Sequence, residues 1–158
     1  MAMAANAADG SARQRWSMTS NALSALQADA ERLAADADRT GGYVTAHMTG
    51  EPDGPSLVPN IDGQRLIRRL KNVLGALAVA HVESDAGISV IGRRVTVDGA
   101  DGSQATYALV IPGDGDPAGG WVSVDSPVGR AIYLRRVGDE VRVEAPGGMW
   151  TATVVSVE

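Results

Sequence analysis

At 158 residues with a formal net charge of −5, the chain suits one core-forming domain plus an appendage, and its acidity argues against unaided, non-specific binding to nucleic acid. It has no cysteine, which excludes a disulfide framework and any thiolate metal site. No apolar run is long enough to span a bilayer and the N-terminal stretch lacks the apolar core of a signal peptide, so a cytoplasmic protein is expected, with no membrane partner.

Residues 1–19 are rich in Ala, Ser, Asn and Gln with little periodicity, and a disordered tail is expected. From Ser20, a good N-cap residue, Leu23, Leu26, Ala30, Leu33 and Ala37 recur at three- and four-residue steps, the spacing of a coiled-coil seam. Asp29, Glu31, Asp36 and Asp38 lie off that seam. Residues 40–60 carry glycines and prolines that break all periodicity, which predicts a long tip loop. A second helix is expected from Asp62 to Leu77, with Leu66, Leu70, Val73 and Leu77 on its seam and Arg65, Arg68, Arg69 and Lys71 on its flanks. Residues 20–80 thus predict an antiparallel helical hairpin, acidic flank against basic flank, with arms of roughly 25–28 Å at 1.5 Å per residue.

Residues 81–158 change period. Ile88 to Val97 predicts a strand interrupted at Gly92-Arg93-Arg94, residues 98–103 a Gly/Asp turn, and Gln104 to Ile111 the returning strand. After the loop PGDGDPAGG, Trp121 to Asp125 alternates as a short strand. Ser126 then reads as an N-cap with Pro127 at the first helical position, and Val128, Ala131, Ile132 and Leu134 form a narrow apolar face that Gly138 is placed to stop. Val141 and Val143 alternate with Arg142 and Glu144, Pro146-Gly147-Gly148 makes a turn, and Thr151 to Val157 closes the sheet. The fold class is α+β: a helical hairpin, then an antiparallel sheet packed by one short helix.

Residues with catalytic potential are sparse. The DGADG and DGDP runs lack the closing Glu of a calcium loop and suit turns. His47 and His81 have no triad spacing around them, and Ser126 lacks the Gly-x-Ser-x-Gly elbow, so an N-cap accounts for it better than a nucleophile. No phosphate-binding or dinucleotide fingerprint is present, and neither a catalytic residue nor a metal site of the chain's own is expected.

The stretches VSVDSPVGRAIYL, GDEV and APGGMWTATVVSV resemble the C-terminal domain of the GreA/GreB transcript cleavage factors, whose pattern runs roughly ISVNSPIARALIG…GDEV…TPGGE…VEVV. The resemblance implies an FKBP-like sheet for residues 81–158 and a coiled coil that enters the secondary channel of bacterial RNA polymerase. It implies docking on the channel rim through the Ser-Pro helix, hence through Ser126, Pro127, Val128 and Arg130. In the family, acidic residues at the coiled-coil tip help hold a magnesium ion and a water at the polymerase's own active site. The family's tip motif, roughly Asp-x-x-Glu-Asn-x-Glu-Tyr, is missing; Glu51 and Asp53 are the nearest carboxylates, with a proline between them. The resemblance therefore implies a regulator that modulates elongation or transcript cleavage, either as an elongation-rescue factor or, because the tip motif is missing, as an anti-cleavage or inhibitory variant. No cofactor is implied beyond Mg2+ shared with the polymerase, and nucleic acid is met only through the elongation complex. Two alternatives stand beside it: a coiled-coil scaffold for another partner, and an FKBP-like prolyl isomerase, for which the globular half offers Tyr107, Trp121, Tyr133 and Trp150 but no Phe.

Overall fold

Two amphipathic helices and a valine-rich sheet share one apolar interior. The computed structural model describes residues 15–40, 43–46, 56–59 and 61–158. Helix α1 (Ser20–Thr40) buries Leu26, Ala30 and Leu33, and α2 (Ile61–Ala78) buries Val73 and Ala76 with Leu66, Leu70 and Leu77 packed at the margin. The seam residues face one another as their spacing requires. The α1 cap lies one residue earlier than Ser20: the Thr19 side chain accepts from the Ala22 backbone N–H at 3.1 Å. Charge contributes less than the flanks suggest. Arg32 and Arg39 pair within α1, with Asp29 and Asp36, and Arg69 alone crosses, reaching Asp29 at 3.3 Å and Asp114 at 3.6 Å among the described residues. Such half-exposed pairs contribute about 0–1 kcal/mol each.

Two segments differ from the sequence expectation. Residues 16–18, expected to belong to a disordered tail, form strand β1 (Trp16–Met18), which runs parallel to β4 (Ala80–Val82). Three residues are too few for periodicity to show, yet Met18 is 0% exposed and also bridges to Ile91. The remainder of the expected tail, residues 1–14, lies outside the described residues. At the distal end, β2 (Tyr43–Ala46) and β3 (Ser56–Pro59) pair antiparallel, Tyr43 opposite Pro59 and Ala46 opposite Ser56, where a plain loop was expected. Tyr43-Val44-Thr45 and Leu57-Val58 are β-forming runs too short to stand out among the surrounding glycines and prolines.

The second half is a five-stranded sheet in the order β7-β6-β5-β9-β8, built from β5 (Arg94–Gly99), β6 (Gln104–Val110), β7 (Trp121–Ser123), β8 (Glu140–Ala145) and β9 (Gly148–Val157). All pairings are antiparallel except β6 with β7, which is parallel because the 112–120 connection crosses over before β7 begins. Alternate residues Val95 and Val97, Val141 and Val143, and Ala152 and Val154 point inward. Short helix α3 (Pro127–Ile132) closes over this face with Ile132 fully buried.

Hairpin and sheet meet at β1. The buried residues of both halves form one continuous cluster that includes Met18 and Ile91. Gly92, at φ +94°, sits so close to the start of α1 that a Cβ would stand 2.6 Å from the Ala22 and Thr19 side chains. Trp16 meets Tyr133 edge-to-face at 5.8 Å, and the Tyr133 hydroxyl accepts from the Ser17 N–H at 2.6 Å. Because Met18 fills the junction, Met18→Ala is expected to cost about 2–5 kcal/mol in urea unfolding. A single shared transition, followed by amide exchange of α1 and β9 together, would confirm that both halves depend on it.

Candidate functional site

The Ser-Pro helix begins from backbone geometry that its sequence dictates. Ser126 adopts φ −73° and ψ 160°, its Oγ accepts from the Gly129 N–H at 3.0 Å, and its hydroxyl donates to the Ser123 carbonyl at 2.7 Å. Pro127 follows at the first helical position, where its missing N–H costs nothing. Gly129 lies against β7: a Cβ there would stand 1.9 Å from the Ser123 carbonyl oxygen. At this position glycine is required by packing, and its low helix propensity is secondary.

The helix ends earlier than its apolar pattern predicts. Expected to continue through Leu134 to a stop at Gly138, it closes at Ile132; Tyr133 turns extended at ψ 135° and Leu134 enters the left-handed region at φ 59°. Ser89 enforces the exit. Its buried hydroxyl contacts the carbonyls of Ile132 and Arg135 and accepts from the Arg135 N–H at 2.7 Å, and its carbonyl accepts from the Leu134 N–H at 2.7 Å. A leucine held left-handed carries strain of about 1–2 kcal/mol. The side chain is nonetheless 51% exposed, so core packing does not repay the strain.

Of the residues singled out by sequence, Ser126 commits its side chain to the cap and Val128 packs against the core, while Pro127 and Arg130 are exposed. Pro127 and Arg130 line a groove of about 320 Å³ together with Ala131, Arg135, Arg142 and Glu144. Arg135 and Arg142 were not legible in sequence. Arg142 is an ordinary outward-facing strand residue until α3 is seen lying beside β8. Arg135 donates to the Ala131 carbonyl at 3.2 Å, and among the described residues Arg130, Arg135 and Arg142 form no ion pair. Arg136, by contrast, is tied to Asp85 at 2.6 Å. The Gly87 backbone N–H, and then Arg136, hold the Asp85 carboxyl below its ordinary range. The tip candidates Glu51 and Asp53 lie outside the described residues. Among the described residues no group of three or more His, Asp or Glu side chains is placed to hold a metal ion, and no helix is long and apolar enough to cross a membrane. The sharpest local expectation concerns Gly129: Gly129→Ala forces α3 off β7 and is expected to lower unfolding stability by about 1–3 kcal/mol. Leu134→Gly releases the left-handed strain and is expected to raise it by up to about 1 kcal/mol. Both are read by denaturant midpoint at unchanged slope.

Comparison with known proteins finds this helix within a stretch similar to one family's C-terminal domain. Residues 86–158 match the family model described as transcription elongation factor, GreA/GreB, C-terminal. GreA of Geobacillus kaustophilus is 34% identical over 94 residues, covering 58% of this chain and 60% of that one. GreB of Xanthomonas axonopodis pv. citri is 38% identical over 96 residues, covering 60% and 57%. The chain thus spans about 60% of the length of these curated relatives. Among solved structures, GreA factor homolog 1 of Thermus thermophilus aligns over 92% of this chain and 99% of that one at 20% identity, with a TM-score of 0.42. A GreA/GreB factor from Nitrosomonas europaea aligns over 90% and 98% at 21% identity, with a TM-score of 0.43. Residues 86–158, with the Ser126-Pro127 helix at their centre, are thus similar to the C-terminal domain of the GreA/GreB factors.

Proposed function

We propose that the protein is a cytoplasmic regulator that binds bacterial RNA polymerase at the secondary channel and restrains transcript cleavage. The observation that carries the reading is the capped Ser126-Pro127 helix within a C-terminal domain of GreA/GreB type, exposing Pro127 and Arg130 beside a basic groove. The helical hairpin, continuous in its core with that domain, supplies an arm of the kind that enters the channel. The protein performs no chemistry of its own. A Gre-type tip assists the polymerase by lending carboxylates to its magnesium ion. Here the tip motif is absent, and Glu51 and Asp53, split by Pro52, are poorly spaced to act as one pair on a metal. Occupying the channel without completing the metal site makes a competitor.

RNA cleavage in a stalled, backtracked elongation complex tests this directly. The purified protein is expected to produce no cleavage above the polymerase's background and to suppress cleavage stimulated by an authentic GreA. Cleavage that vanishes in Glu51→Ala/Asp53→Ala would instead make this a stimulating factor with a rebuilt tip. No effect of either kind would remove the polymerase reading and leave a scaffold for another partner.

A further inference from the structure

The helical hairpin has two broad faces, and the loop between β6 and β7 approaches one of them. There Arg69 reaches Asp29 and Asp114, and Asn72 lies so close to Gly113 that a Cβ on the glycine would stand 2.5 Å from its side-chain nitrogen. Two residues along an α-helix are a rotation of about 200°. Ile67 and Lys71 stand two residues from Arg69, Leu74 two from Asn72, and Glu31 two from Asp29, so these four mark the opposite face. Asp38, seven residues beyond Glu31, shares its side of α1. On this second face Leu74 is 50% exposed and Ile67 half-buried. Neither belongs to the apolar cluster that Leu66, Leu70 and Leu77 join. Glu31, Asp38 and Lys71 are exposed and, among the described residues, form no ion pair. The face is therefore apolar and basic along α2 and acidic along α1.

We propose that this face binds the same face of a second copy of the chain, with α2 of each hairpin lying on α1 of the other. The charges select that arrangement. Stacking α2 on α2 would oppose Lys71 to its own counterpart, and stacking α1 on α1 would oppose Glu31 and Asp38 to theirs. The crossed pairing sets Lys71 of each copy beside Glu31 of the other, twice about one two-fold axis. The Arg69–Asp29 contact fixes the levels of the two helices, and from it Lys71 and Glu31 are offset by about 6 Å along the axis, within a lysine's reach. Size fits as well: Ile67 and Leu74 would meet the side of α1 that carries Ser24, short enough to let helices approach to about 8–10 Å. The 18 residues of α2 give a length of about 27 Å, and two helices a width of about 20 Å. The footprint falls below the ~800 Å² per partner of a standard stable complex, so the association is weak and depends on concentration. None of this depends on the polymerase reading.

Sedimentation equilibrium of the full chain from about 1 to 500 μM tests it, on wild type, Leu74→Gln, Lys71→Glu, Glu31→Lys and the Glu31→Lys/Lys71→Glu exchange. Wild type is expected to pass reversibly from monomer to dimer at about 10–100 μM. Leu74→Gln and each single charge reversal are expected to weaken dimerisation about tenfold, and the exchange to restore it to within about threefold of wild type. All four substitutions fall on exposed side chains, and unchanged helical circular dichroism of the dilute monomers shows that the hairpin is intact. A wild type that stays monomeric throughout overturns the proposal. So does a dimer that none of the variants weakens, because it must form through another surface. Single reversals that weaken the dimer without rescue by the exchange overturn the crossed pairing on which the proposal stands.

Discussion

The arrangement depends on three residues wedged where the hairpin meets the sheet. Strand β1 pairs with β4 on one side and bridges to Ile91 on another, and Met18 is fully enclosed between the two halves. Beside that side chain, the two halves are joined by the tight Gly92 approach, the Trp16–Tyr133 ring contact, the Ser17–Tyr133 hydrogen bond and a half-exposed Arg69 network. Burial dominates here because each exposed ion pair is worth a fraction of one buried aliphatic side chain.

The same junction links the hairpin to α3. Tyr133 is the residue at which α3 ends, and its ring and hydroxyl engage Trp16 and Ser17 at the root of the hairpin. Ser89 fixes the backbone on the other side of that turn. The exit from α3 is therefore determined from two directions, and this is what allows Leu134 to remain left-handed and exposed. A displacement of α3 on a partner would be transmitted to the base of the hairpin by direct contact, through Tyr133.

Much of this was readable from residues alone, for identifiable reasons. The seam of both helices is periodic over several turns, and the Ser126-Pro127 start is local chemistry whose expected hydrogen bond to Gly129 is present. The outward-inward alternation of β8 and β9 is equally local. What escaped was short or non-local. Strand β1 is only three residues long, the tip strands are embedded among helix-breaking residues, and the parallel β6–β7 pair depends on how a crossover closes. The helix end was misplaced because the residue that stops it, Ser89, lies far upstream in sequence. Arg135 and Arg142 become neighbours of Arg130 only once α3 is laid along β8.

The bond from the Ser17 amide to the Tyr133 hydroxyl spans 116 residues. During synthesis, β1 leaves the ribosome before its partner β4, and well before Ile91 and Tyr133. The two helices and the β1–β4 pair can associate early through residues up to Val82, but their root lacks its contacts to Ile91 and Tyr133 until the sheet region has followed. The hairpin acquires its fixed direction only at the end of folding, so a truncated product that lacks the sheet would retain an arm with nothing to aim it.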